Sequence, residues 1–205
     1  MRDLLQQLIA DSLAAPPLSF TRRDAYLPAI PGKAIAVVGM RRSGKTTFLW
    51  QCLSDRLQAG APRAALLYLN FEDERLAGMQ ATDLQWVVED YYRLAPDLRD
   101  RQRVTFFFDE IQVVQGWESF ARRLMDSEQA DLFLTSSSAR LLSREAATSM
   151  RGRALEVLIH PFSLREALRH AGVEPIEPCA SWSKALRTEI DERLRAYLAA
   201  GGFPE

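Results

Sequence analysis

The stretch Val37-Val38-Gly39-Met40-Arg41-Arg42-Ser43-Gly44-Lys45-Thr46-Thr47 constrains the fold more than any other part of the chain. Its spacing, G-x-x-x-x-G-K-T, is that of a loop that wraps phosphate between a strand and a helix. The flanks supply both. Ala34 to Val38 is a short, continuous apolar run rich in β-branched residues, the pattern of a strand buried on both faces of a parallel sheet. Thr46 to Leu57 has helix-forming composition, and Ala59-Gly60-Ala61-Pro62 stops it.

The residue types in this loop suit a dense cluster of negative charge. Glycines at 39 and 44 let the backbone pass close and aim its N–H groups inward. The helix N-terminus behind them adds roughly half a positive charge. Phosphate contacts are expected from Gly39, Met40, Arg41, Arg42, Ser43, Gly44, Lys45, Thr46 and Thr47. Lys45 is expected on the β- and γ-phosphates, and the Thr46 hydroxyl on Mg²⁺. The chain has only three lysines, Lys33, Lys45 and Lys184, against 23 arginines, so a lysine at this position is not surface decoration.

With 205 residues, one α/β domain and a small appendage are expected, with enough length for a substantial core. The organisation reads as an N-terminal helix and loop over 1–31, a phosphate-loop core over 32–162 and a small helical region over 163–205. A net charge of −1 argues against a chain-wide nucleic-acid surface, although arginines cluster locally. Cys52 and Cys179 match no metal spacing and read as reduced thiols of a cytoplasmic protein. Met1-Arg2-Asp3 leads into an amphipathic helix and not a signal peptide, and no apolar run nears the ~20 residues that span a bilayer.

Along the chain, Leu4, Leu5, Leu8, Ile9 and Leu13 share a helical face over residues 3–13, which Pro16-Pro17 ends. The loop over 18–32 carries Arg22-Arg23, a pair in reach either of a nucleotide or of acidic partners. A second strand is expected over 64–70. It delivers Phe71-Glu72-Asp73-Glu74-Arg75, read as a solvated turn with a helix cap or as acids facing the ligand end of the sheet. Residues 82–95 read as a helix ended by Pro96.

The second strong motif is Val104-Thr105-Phe106-Phe107-Phe108-Asp109-Glu110, a buried strand with two acids at its end. It follows the phosphate loop by about 60 residues with one strand between them, so Asp109 reads as a Mg²⁺ ligand through water. Glu110 reads as the group that polarises an attacking water. After a helix from Trp117 to Met125, a fourth strand over 131–135 ends in Ser136-Ser137-Ser138. Thr135 and Ser136 are candidates for a hydroxyl that senses the γ-phosphate, the alternative being a serine helix cap. A short helix over 139–150, Arg151-Gly152-Arg153 and a fifth strand over 154–159 follow. Helices over 163–171 and 183–199 come next, the latter with Leu186, Ile190, Leu194 and Leu198 as a stripe. His160 and His170 read as structural.

Taken together, these segments resemble the N-terminal ATPase part of a bacterial and archaeal AAA+-like family whose C-terminal half is a domain of unknown function. The resemblance rests on Gly39 to Thr46, Phe71 to Leu76, Phe108 to Gln112, Gly116 to Glu118, Thr135 to Ser143, Arg151 to Arg153 and Tyr197 to Glu205. It implies an α/β P-loop NTPase with a parallel five-stranded sheet in order 5-1-4-3-2 and a small C-terminal helical region. It implies ATP with Mg²⁺, and adenine over guanine, since no Asn-Lys-x-Asp guanine reader follows the fourth strand. It also implies a homo-oligomer in which an arginine reaches a neighbouring subunit's γ-phosphate. Arg151 and Arg153 sit where that finger would be, with Arg140 a third candidate, unless they pair with acids of their own subunit.

Two functions fit: an ATPase that couples hydrolysis to a conformational or assembly change, and a nucleotide-gated module that contacts a protein or DNA with negligible hydrolysis. A basic face of Arg99, Arg101, Arg103, Arg122 and Arg123 would serve DNA, but interspersed acids favour a solvated surface.

Overall fold

The computed structural model describes residues 1–28, 30–137, 150 and 152–203. Among them, strands β1 (Ala34–Gly39), β2 (Leu66–Asn70), β3 (Val104–Asp109), β4 (Ala130–Ser137) and β5 (Ala154–Leu158) form one sheet in the order β2-β3-β4-β1-β5. Every pairing is parallel. This is the expected order, with β4 inserted between the phosphate-loop strand and β3. Because the strands run the same way, the loops after β1 and β3 open at one end of the sheet.

Alternation along the strands divides the core in two. Ala34, Ala36 and Val38 of β1, Leu67 and Leu69 of β2, Phe106 and Phe108 of β3, and Leu132 and Leu134 of β4 point to one face. Helices α1 (Arg2–Ala14), α3 (Leu84–Leu94) and α4 (Trp117–Ser127) cover it. The intervening residues Ile35, Val37, Phe107, Phe133 and Val157 point to the other face, against α2 (Lys45–Gln58). The irregular segment before β1 adds Phe20 and Ala25 there.

The outer edge of β2 is closed by α1. The Ser12 hydroxyl donates to the Tyr68 carbonyl at 2.6 Å and accepts the Tyr68 N–H at 3.2 Å. Arg63 donates to the Ser12 and Ala15 carbonyls at the C-terminal end of α1. That grip explains a boundary: residues 64 and 65, expected to begin β2, belong to a single 3₁₀ turn, Arg63–Ala65, instead. Likewise α3 begins at Leu84 rather than 82, because the Asp83 carboxylate accepts the Gln80 N–H at 3.0 Å and closes a turn ahead of the helix. Asp73 accepts the Arg75 N–H and caps a 3₁₀ turn, the solvated-turn alternative for that acidic stretch. The helix expected over 139–150 lies, apart from Met150, outside the described residues.

After β5 come helices α5 (Leu164–His170) and α6 (Lys184–Ala200). α5 opens with a capping box between Ser163 and Glu166. On α6 the expected stripe is only partly used: Ile190 is buried, Leu186 and Leu194 are half-buried, and Leu198 is 74% exposed. Tyr197 takes the inward position, donating its hydroxyl to the Phe162 carbonyl at 2.8 Å. Gly202 then returns against Phe162, whose N–H donates to the Gly202 carbonyl at 2.5 Å. A Cβ at 202 would lie 2.0 Å from the Phe162 carbonyl oxygen, so only glycine permits the approach. Among the described residues no helix is long and apolar enough to cross a membrane.

Candidate functional site at the phosphate loop

The loop between β1 and α2 is shaped by its backbone. Arg42 (φ 63°) and Gly44 (φ 94°) both take the left-handed conformation, and the Ser43 N–H donates to the Met40 carbonyl at 3.2 Å. Gly39 passes so close to β5 that a Cβ there would lie 2.3 Å from the Ile159 carbonyl oxygen and 2.7 Å from Ser43 Oγ. Met40, Arg41 and Arg42 are exposed on the rim; Ser43 and Lys45 are buried, with Gly44 and Thr47 between these extremes and Thr46 exposed.

Lys45, the first residue of α2, reaches across the loop. Its Nζ lies 3.3 Å from the Met40 carbonyl and 3.3 Å from Glu110 Oε1. Glu110 stands at the end of β3 in a left-handed conformation, φ 52°, which is uncommon without glycine and turns the chain sharply out of the sheet. Its other oxygen accepts from Gln112 Nε2 at 2.5 Å. The carboxylate is thus held from two sides, by Lys45 and by Gln112.

Asp109 is fully buried and accepts from three hydroxyls. Thr46 Oγ1 donates at 2.7 Å and Tyr68 Oη at 2.8 Å, both to Oδ2, while Thr135 Oγ1 donates to Oδ1. Burial first, and then the charge of Asp109, push the Tyr68 phenol far above its ordinary value, so it remains an O–H donor. Thr135 Oγ1 also accepts the Glu110 N–H at 2.7 Å. One buried threonine therefore fixes both acids at the end of β3. Ser136 is also buried, one register position from Thr135 and opposite Val38.

The arrangement suits a polyanion and a hard cation. Ser43 Oγ is buried with no hydrogen-bond partner among the described residues, a polar atom left unsatisfied beside the loop. Thr46 and Asp109 sit side by side, and no group of three or more His, Cys, Asp or Glu able to hold a metal occurs among the described residues. A cation at this place would take its remaining ligands from phosphate and water, the usual manner of Mg²⁺.

Of the finger candidates, Arg153 is among the described residues and lies away from the loop. Arg153 is at the opposite end of β1, where its carbonyl accepts the Ala34 N–H at 2.8 Å, and its guanidinium pairs with Asp126 at 2.6 Å. Arg151 and Arg140 lie outside the described residues. On the basic face, Arg99 pairs with Glu128, Arg101 with Asp97 and Arg103 with Asp131; Arg122 donates to Ser119, and Arg123 lies over the Phe120 ring. His160 contributes its carbonyl to Arg23, and His170 Nδ1 bonds Thr21 Oγ1 at 2.7 Å.

Sequence reasoning passed over Tyr68 and Gln112. Tyr68 had a usable signal: it lies two residues before the end of a buried strand, and a buried phenol needs a partner. Gln112 had none beyond its closeness to Glu110.

Residues 31–168 match the model of a family described as an AAA domain. The chain is 35% identical over 203 residues to an uncharacterized protein of Methanocaldococcus jannaschii, covering 98% of this chain and 43% of that protein. It is 34% identical over 172 residues to an uncharacterized protein of Haemophilus influenzae, covering 82% and 38%. The chain therefore spans about two fifths of the length of these relatives. Among solved structures, Caenorhabditis elegans PCH-2 aligns at 12% identity and a TM-score of 0.49, covering 98% of this chain and 57% of that one.

Proposed function

Because the chain belongs to the AAA domain family, we propose that it binds ATP in the loop of residues 39–47 and hydrolyses it to ADP and phosphate in the cytoplasm. The observation that carries this reading is the meeting of Lys45 and Glu110 at 3.3 Å. It joins the phosphate-binding cation and the water-orienting acid at one point between two loops.

Lys45 exchanges Glu110 for the β- and γ-phosphates. Gln112 keeps its hold on Oε2 of Glu110, which leaves Oε1 to accept a proton from water. The water oxygen attacks the γ-phosphorus in line, the bond to the ADP oxygen breaks, and the proton passes through Glu110 to solvent. Mg²⁺, held by Thr46 and through water by Asp109, would neutralise charge on the phosphate oxygens. Thr135 bonds Asp109 and accepts the Glu110 N–H, so in this reading it positions both acids; Thr135 and Ser136 remain the two candidates for contact with the γ-phosphate.

Assembly belongs to the same proposal: a homo-oligomer in which Arg151 or Arg153 serves the neighbour's site. The Arg153–Asp126 pair is 43% and 61% exposed, and pairs so exposed are worth at most about 1 kcal/mol, so an acceptor on another subunit competes for Arg153 easily. An arginine finger contributes about 10³- to 10⁵-fold in turnover.

The test is ATP turnover per chain across a wide range of protein concentration, beside direct ATP binding. Lys45→Ala is expected to lose binding, and Glu110→Gln to keep ATP bound while turnover falls by about 10²-fold or more. A specific rate that climbs with concentration and drops in Arg153→Ala places a finger between subunits. Wild-type turnover in Glu110→Gln overturns the role of that acid. Tight binding without turnover at any concentration makes the protein a nucleotide-gated binding module instead.

A further inference from the structure

Arg22 and Arg23 are neighbours with opposite surroundings. Arg22 is exposed and pairs with Asp55 at 2.6 Å. Arg23 is 5% exposed, and its donors reach three separate parts of the chain. Nη1 donates to the Ser43 carbonyl at 2.7 Å, inside the phosphate loop. Nη2 donates to the His160 carbonyl at 2.5 Å, just beyond β5. Nε donates to Glu166 Oε1 at 2.9 Å, on α5. The guanidinium lies over the Phe162 ring, 5.0 Å from its centre. Gln51 of α2 fixes the backbone on which all this depends, accepting the Arg23 N–H at 2.7 Å and donating to its carbonyl at 3.2 Å.

The contact with Ser43 has a directional consequence. A trans peptide points its C=O and its N–H to opposite sides. A guanidinium that grips the Ser43 carbonyl therefore turns the Gly44 N–H away from itself. Anion-binding loops work through backbone N–H groups held in such an orientation before the ligand arrives. The fit is close: a Cβ at Gly44 would lie 2.9 Å from Arg23 Nη1, so glycine at 44 serves the arginine as well as the left-handed turn. The remaining acceptor is equally well built. Glu166 takes N–H groups from Asp24 at 2.8 Å and Ser163 at 2.8 Å besides Arg23, which leaves it no slack to move away.

We propose that Arg23 is a positioning residue of the phosphate loop: it presets the Ser43–Gly44 peptide for phosphate, and through Glu166 it makes that setting depend on α5. This rests on the nucleotide-binding reading of the loop. A lysine keeps the charge but has no rigid fork to bridge a carbonyl and a carboxylate together.

The experiment is calorimetric titration of the 205-residue protein with ATP and with inorganic tripolyphosphate, which isolates the phosphate part of the ligand. The variants are Arg23→Lys, the double variant Arg23→Met/Glu166→Met, which strands no buried charge, and Arg22→Lys as the control. Thermal melts establish that each is folded at the titration temperature. For both ligands Kd is expected to rise tenfold or more in Arg23→Lys and in the double variant, and to stay within twofold in Arg22→Lys. In turnover, KM should rise with kcat little changed. Wild-type affinity in folded Arg23→Lys and double variants overturns the positioning role and leaves the nucleotide reading intact. A wild-type protein that binds neither ligand overturns that reading and this one with it.

Discussion

The two faces of the sheet are built by different means. On the first, α1, α3 and α4 lay a continuous apolar layer against the strands, with Phe106 in edge contact with Tyr91 at 5.3 Å and tilted against Phe108 at 5.6 Å. On the second, α2 is joined by the irregular stretch before β1, and polar contacts tie that stretch to α2 and to α5: Arg23, Gln51 and Glu166 are all buried. A cleft of about 360 Å³ remains between that stretch and the sheet, walled by Leu27, Ile30, Ile35 and Phe133 and by Arg56 paired to Asp131. The difference separates two tasks. The first face supplies cohesion without direction, since apolar burial is non-directional. The second supplies direction, since each hydrogen bond fixes an orientation, and it is the face that aims the phosphate loop.

Breaking the first face should therefore have the largest effect on stability and little on the site. Phe106→Ala removes a fully buried ring from the middle of the layer. It should cost about 3–5 kcal/mol, through lost burial and the cavity left behind. In urea unfolding the midpoint should fall with the slope unchanged. A loss under about 1 kcal/mol would mean that the layer collapses to fill the gap and is looser than its packing indicates.

Sequence reasoning fared differently on the two faces for the same reason. Phe106-Phe107-Phe108-Asp109 and Ile35-Ala36-Val37-Val38 announce strands because alternation and apolar content are local properties, and the sheet order followed from the family resemblance. Of the candidate site, the contiguous motifs at residues 39–47 and 109–110 were readable, and the structure brings them together at Lys45–Glu110 and Thr46–Asp109. What was not readable is long-range polar pairing. Arg23 meets Glu166 across 143 residues, and Tyr68 meets Asp109 across 41. No periodicity marks such partners, and Arg22 and Arg23 are indistinguishable by composition. The same holds for Leu198, whose place in a four-residue stripe predicted burial that Tyr197 took instead.

The polar face can be sharpened by pH. Burial alone would raise the Glu166 carboxyl, but hydrogen bonds from Arg23 and from the Asp24 and Ser163 N–H groups outweigh it and hold the group below its ordinary value of 4.5. A carboxyl lowered on folding contributes its full stability above its unfolded value and loses it as pH falls through the folded one. Melting temperature should thus decline in acid starting below about pH 4.5, and part of that decline should vanish in Glu166→Gln. At neutral pH the same substitution should cost about 1.5–3 kcal/mol, the worth of hydrogen bonds to a charged group. On the first face Asp90 is lowered too, by the hydrogen bond from Arg2 above all, against the opposing effect of burial. The comparison therefore needs Glu166→Gln beside Asp90→Asn. If only Asp90→Asn flattens the acid limb, the directional contacts of the second face carry no stability of their own.

The smallest effect is expected at the cleft. Leu27 and Ile30 are 37% and 51% exposed despite being apolar, and they stand on backbone outside any helix or strand. A side chain that remains half in water has already forgone about half of its transfer gain, and substitutions at such positions usually fall within about 0.5 kcal/mol. Ile30→Ser should leave the urea midpoint nearly unchanged. It should also leave ATP affinity unchanged, since the cleft borders Ile35 near the start of β1 and Phe133 in the first half of β4, while the phosphate loop follows the end of β1. Destabilisation beyond about 1 kcal/mol would show that this stretch is packed as a helix would be, and the contrast between the faces would shrink to one of shape. A loss of ATP affinity at unchanged stability would be more consequential, because it would mean that the segment from Phe20 to Pro31 transmits its position through Arg23 to the loop.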